Sequence, residues 1–106
     1  MRPAPELQQH IGYTFSKADM LERALTHRSY ANENRLSEHN ERMEFLGDSV
    51  LNLVVSERLM NALPGSSEGD LSRLRAAVVS EPSLAAVARE IGLGEYLLLG
   101  RGEEQS

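Results

Sequence analysis

Three carboxylates define the chemistry open to this sequence. In the segment HNERMEFLGDSVL, residues 39–51, Glu41, Glu44 and Asp48 recur at spacings of three and four. On a helix these positions fall within about 60° of one another, on one face. Like charges so placed oppose helix formation by about 0.2–0.5 kcal/mol per pair, and no Lys or Arg follows any of them four residues on. Two readings account for the crowding. The helix dipole favours acids in a first turn, which covers Glu41 and Glu44. It covers Asp48 poorly, because Asp48 lies two turns in and Asp is a weak helix former. Alternatively, carboxylates on one face with no base nearby suit a hard cation that takes oxygen ligands, such as Mg²⁺. Such an ion lowers the pKa of a bound water and stabilises charge at a reacting phosphoryl group.

The element that must carry these acids is a long helix, expected over about residues 41–61, with Asn40 as its N-cap. On a wheel with Glu41 at zero, Met43, Leu46, Val50, Leu53 and Val54 share an arc of about 100°, which predicts a core face. Leu51, Val55 and Leu59 make the acid side apolar further along, so the helix reads as central. Gly47 costs up to about 1 kcal/mol inside a helix; close packing against another helix is one reason for it, a direct ligand role another. Phe45 lies beside the acids, off the core face. It needs a cover, supplied either by this chain or by a second copy of it.

The remaining spacing is helical nearly throughout, with no convincing alternation of strand type. A short helix is expected over Glu6–Ile11, ending at Gly12. Ser16, with Asp19 three residues on, is expected to cap a second helix carrying Met20, Leu21, Ala24 and Leu25. The polar stretch THRSYANENRLSEHN reads as a loop with room for a helical turn. Pro64 and Gly65 break the chain. Ser67 with Asp70 forms a capping box for a helix with Leu71, Leu74 and Val78 on one side. Ser80 and Pro82 begin another, with Gly92 at its C′ position. The fold class is therefore all-α, a compact multi-helix bundle. YLLL at 96–99 needs something to pack on and is followed at once by the polar tail RGEEQS, whose last five residues, GEEQS, read as disordered. That juxtaposition raises the expectation that the natural chain continues past Ser106.

The 106 residues suit one small domain. Sixteen acids against eleven bases give a net charge of −5, which argues against generic electrostatic binding to nucleic acid; a polyanion partner needs a local basic surface or a bound cation. No cysteine is present, which excludes disulfides, zinc–thiolate sites and thiol nucleophiles. No apolar run is long enough for a signal peptide or a membrane span, so the chain reads as cytoplasmic, with no membrane partner.

HNERMEFLGDSVL resembles the signature of the ribonuclease III family, and the flanking segments ALTHRSY and EGDLSRLRA agree with it in order and spacing. The resemblance runs from about Ile11 to Gly100 and implies the N-terminal part of the endonuclease domain, with a long central signature helix. It implies a Mg²⁺-dependent endoribonuclease, with Mn²⁺ as an alternative ion. Such an enzyme hydrolyses double-stranded RNA, including rRNA and mRNA precursors, to 5′-phosphate and 3′-hydroxyl ends. By resemblance, Glu44 and Asp48 are metal ligands and catalytic acids, and Glu41 and Glu68 are accessory acids near the scissile strand. Phe45 is the knob that enters a socket on the partner of a homodimer. The family completes its site with a later Asp/Glu pair in an ADxxEA-like segment, and carries a C-terminal double-stranded-RNA-binding domain. Neither lies within residues 1–106, so residues 1–106 are expected to be an incomplete catalytic domain. Met43, where many members have Leu, changes little.

A catalytically incomplete RNA-binding or dimerisation module is the rival reading from another class, and a plain helical bundle with a solvated acidic face is a third. His10, His27 and His39 are too scattered to join the acids and read as surface or loop hydrogen-bonders. Ser29 and Ser49 lack a His–Asp partnership for nucleophilic catalysis. Arg28, Arg42, Arg73 and Arg75 are candidates for phosphate contacts, although a solvated face or an intrachain ion pair is the commoner role.

Overall fold

The computed structural model describes residues 2–104 and is helical, without strands, among them. The elements are α1 (Ala4–Ile11), α2 (Ala18–Ala24), α3 (Arg28–Glu33), α4 (Glu41–Ala62), α5 (Glu68–Val78), α6 (Glu81–Glu90), a 3₁₀ turn (Leu93–Glu95) and α7 (Arg101–Glu104). The all-α reading and the long central helix stand.

The helix ends follow from local chemistry. Gly12 closes α1 in the left-handed region at φ 69°, where a Cβ would be strained. Ser67 Oγ accepts the Asp70 N–H at 3.1 Å and starts α5, while the Asp70 carboxylate turns to Arg73. Ser80 Oγ caps α6 through the Ser83 N–H. Ser16 does not cap α2: Lys17 holds that position and makes no side-chain bond. The expected loop after α2 contains α3, begun when His27 Nδ1 accepts the Ser29 N–H at 3.1 Å.

The interior lies at one end of the molecule. Leu7, Leu21, Leu25 and Tyr96 are buried together, with Ala4, Phe15, Leu93 and Leu97 packed on them. The apolar YLLL run is the closing piece of this body. Tyr96 fills its centre, and Leu98 makes a parallel bridge to Thr26, with Leu98 N–H on the Leu25 carbonyl (2.8 Å) and His27 N–H on the Leu98 carbonyl (2.9 Å). The tail beyond it is ordered where it is described, contrary to expectation. Gly100 N–H donates to Ser29 Oγ at 2.8 Å, and Arg101 N–H to the Glu33 carboxylate at 2.8 Å. These bonds seat α7 on α3; residues 105 and 106 lie outside the described residues.

The α4–α5 pair departs from the expected packing. Neither helix contains a buried residue, and the described residues extend over 51 × 28 × 24 Å with a radius of gyration of 16.1 Å, against about 13 Å for a compact chain of this size. The arc expected to be a core face is open: Leu46, Val50 and Leu53 are 64%, 51% and 70% exposed. The half-buried residues in the latter part of α4 are Leu51, Val55, Ser56 and Leu59. That stripe continues the acid side, and it is the side that α5 covers, because the short link at residues 63–67 folds α5 back onto it.

Candidate functional site

α4 presents Glu44 and Asp48 one turn apart, both exposed. Among the described residues neither carboxylate has an ion pair or hydrogen-bond partner. Asp48 is engaged only through its backbone carbonyl, which accepts from Asn52 Nδ2 at 2.9 Å. Glu41 differs, since Arg28 Nη1 lies 3.7 Å from its carboxylate, an exposed pair of small energetic weight. The sequence spacing brings the trio to one helical face but not to a three-ligand site: among the described residues no group of three His or acidic side chains is gathered closely enough to hold a metal ion. What exists is a pair of unneutralised carboxylates. That pair fits a hard cation that uses one or two protein carboxylates and fills its remaining positions with waters and phosphate oxygens.

The other predicted residues are dispersed. Glu68 opens α5 and accepts from Ser72 Oγ at 3.0 Å. It lines a depression with Ser56, Leu59, Met60 and Leu71. By helix rise, Ser56 lies about 12 Å along α4 from Asp48, so Glu68 does not join Glu44 and Asp48 within one chain. Arg75, half-buried, donates to Ser56 Oγ at 2.9 Å, and Ser56 in turn bonds the Asn52 carbonyl. It acts as a pin between the helices. α5 ends at Val78, three residues past this contact, so it runs out before Asp48 and leaves the acids open. Arg73 pairs with Asp70. Arg42 is exposed beside the acids and has no partner among the described residues.

Phe45 is 81% exposed; nothing among the described residues covers it. With Phe15 and Met20 it lines an open groove of about 1360 Å³ whose floor is Leu46, Val50 and Val54. Gly47 lies in the same groove, and a Cβ added there would meet nothing within 4 Å. The close helix packing expected at Gly47 is therefore not made within the described residues.

The sequence reading placed Asn40 at the start of α4 and missed what its side chain does. Asn40 makes no side-chain bond into α4. Its amide Nδ2 donates instead to the Ala24 carbonyl at 2.9 Å, at the end of α2. The signal available in the sequence, a good capping residue before a helix, points to the position and to a different bond.

Comparison with known proteins places these features. A Ribonuclease-III-like family model matches residues 17–106. The chain is 51% identical over 102 residues to Ribonuclease 3 of Borreliella afzelii (strain PKo), covering 95% of this chain and 42% of that protein. It is 56% identical over 100 residues to Ribonuclease 3 of Oleidesulfovibrio alaskensis, covering 93% and 44%. It thus spans less than half the length of these curated relatives. A solved structure of the nuclease domain of ribonuclease III from Campylobacter jejuni, described for structural flexibility in a region involved in dimer formation, superposes with a TM-score of 0.88 at 44% identity. That match covers 97% of this chain and 69% of the other.

Proposed function

The chain belongs to the ribonuclease III family, and from that premise we propose that residues 1–106 form the front part of an endonuclease domain that hydrolyses double-stranded RNA. The observation that carries the reading is the pair Glu44 and Asp48, exposed, one turn apart and without a basic partner among the described residues. These two residues are the proposed metal ligands, for Mg²⁺ or Mn²⁺. A divalent ion there supplies a water of lowered pKa and neutralises charge on a phosphodiester.

The chain's own residues do the rest. α4 holds the two carboxylates rigidly on a long helix, and the end of α5 before Asp48 leaves them accessible to a duplex. Glu41 and Glu68 are accessory acids in this reading, with Glu68 reaching a scissile strand only by way of a second copy or a displaced backbone. Arg42, with no partner among the described residues, is the proposed phosphate contact; Arg73 pairs with Asp70 within α5 and Arg75 bonds Ser56 of α4. Phe45, uncovered, is the proposed contact with the second copy of a homodimer. The products are 5′-phosphate and 3′-hydroxyl ends, the substrates include rRNA and mRNA precursors, and the setting is cytoplasmic.

A second reading is favoured by one observation: among the described residues no third acid is gathered closely enough to Glu44 and Asp48 to make a three-ligand metal site. In that reading residues 1–106 bind RNA or dimerise without turnover. Cleavage of a long RNA duplex in Mg²⁺ separates the two. The first expects cleavage by wild type and loss of cleavage in Glu44→Gln and Asp48→Asn; equal cutting by wild type and both variants overturns the assigned roles. The second expects no cleavage by any of the three.

A further inference from the structure

We propose that Asn40 is a positioning residue for the acid edge: its side-chain amide fastens the acid-bearing start of α4 to the end of α2. This rests on the assignment of Glu44 and Asp48 as the metal-binding pair. α4 is held differently at its two ends. Its far half packs on the hairpin partner α5, and Leu46, Val50 and Leu53 on its apolar arc are exposed. Its near end is fastened by a small set of directed bonds. Asn40 Nδ2 donates to the Ala24 carbonyl at 2.9 Å, and Asn40 N–H donates to the Thr26 carbonyl at 2.9 Å. Arg23 Nε donates to the His39 carbonyl at 3.2 Å. Thr26 is itself fixed, because it is buried and bridged to Leu98.

Asn40 is thus the joint between the packed body and the helix that carries the chemistry. It occupies both backbone and side chain on the body while its own carbonyl accepts the Glu44 N–H at 2.8 Å, the first bond of α4. Glu44 is one turn from that joint and Asp48 two. A rotation at that joint is carried along the 22-residue helix, whose further half is held through α5.

The side chain needed is a donor of this reach. Ala24 offers a carbonyl oxygen, which only a donor can satisfy. Ordinary capping works the other way, with a side-chain oxygen accepting an N–H of the helix. The two roles therefore predict opposite responses to substitution. Ser caps a helix as well as Asn does but is too short to span to Ala24. Asp caps as well and matches Asn in shape, but its carboxylate cannot donate to a carbonyl.

The test uses the full 106-residue chain, which has no native cysteine. Nitroxide labels on cysteines introduced at the exposed positions Gln9 of α1 and Asn61 of α4 report the body-to-helix distance by pulsed electron resonance. Mn²⁺ affinity is measured on the unlabelled chains. Wild type is expected to give one narrow distance, and Asn40→Ser and Asn40→Asp broad ones, with helix content unchanged by circular dichroism. Asn40→Ser is expected to lose about tenfold in Mn²⁺ affinity, the size of effect seen when a supporting residue behind a metal ligand is removed. Wild-type distance distributions in both variants overturn the proposal, as does full Mn²⁺ affinity in Asn40→Ser beside a broadened distance. Absence of Mn²⁺ binding by wild type refutes the metal assignment instead, and the distance measurement then still decides whether Asn40 fastens the helix.

Discussion

The α1–α2 body and the α4–α5 hairpin are both built of helices folded back on one another, and among the described residues only the first has an interior. The body gains it from a third element. The segment around Tyr96 returns from the far side of the chain, fills the space between Leu7, Leu21 and Leu25, and is bonded in place through Leu98. Among the described residues the hairpin has two layers and no third covering the open arc of α4. One stripe of α4 lies under α5, and the opposite arc, as apolar as any core face, is left to solvent. Helical pairs bury one stripe each, and a second stripe needs a further partner. Amphipathic spacing states which residues can be covered and is silent on whether anything covers them.

Substitutions sharpen this contrast. The largest effect is expected in the body: Leu21→Ala removes a buried side chain and should cost about 2–5 kcal/mol, measured by urea unfolding. Gly100→Ala should cost about 1–3 kcal/mol by overpacking, because a Cβ there would come 2.8 Å from Ser29 Cβ; proteolysis of the C-terminal segment should accelerate in parallel. In the hairpin, Ser67→Ala removes the cap of α5 and should cost about 1 kcal/mol, seen as a lower thermal midpoint. Leu53→Ala, chemically the same change as Leu21→Ala, should move stability by no more than about 0.5 kcal/mol in the isolated chain. A cost like that of Leu21→Ala would mean that the open arc of α4 is covered in solution, and would break the contrast.

The elements were legible from sequence to a degree that follows their physics. α4 was placed to within a residue because its signals are local, an N-cap residue before the run and Pro64 after it. α5 and α6 were marked by Ser67 and Ser80, which cap as their spacing implies. α3 reads from sequence only as room for a helical turn and α7 as a polar tail, because their stability is not their own. α3 is six residues begun by a histidine, and α7 is held by Ser29 and Glu33, some 70 residues earlier in the chain. The acid edge was legible as a face, since helical spacing alone sets it. Its separation from Glu68 was not, because that depends on how far α5 reaches along α4. The expected core arc went astray for a related reason: the wheel gives two apolar sides in the latter half of α4, and the length of the link to α5 chooses between them.

Gly47 carries one more consequence. It weakens α4 in its first half and, among the described residues, yields no contact in return. A methyl group introduced there would brace the lone helix and obstruct any visitor that settles its backbone into the groove. The same single-atom addition would thus register as a benefit in solitude and a hindrance in company, and which of the two is seen reveals what the groove accommodates.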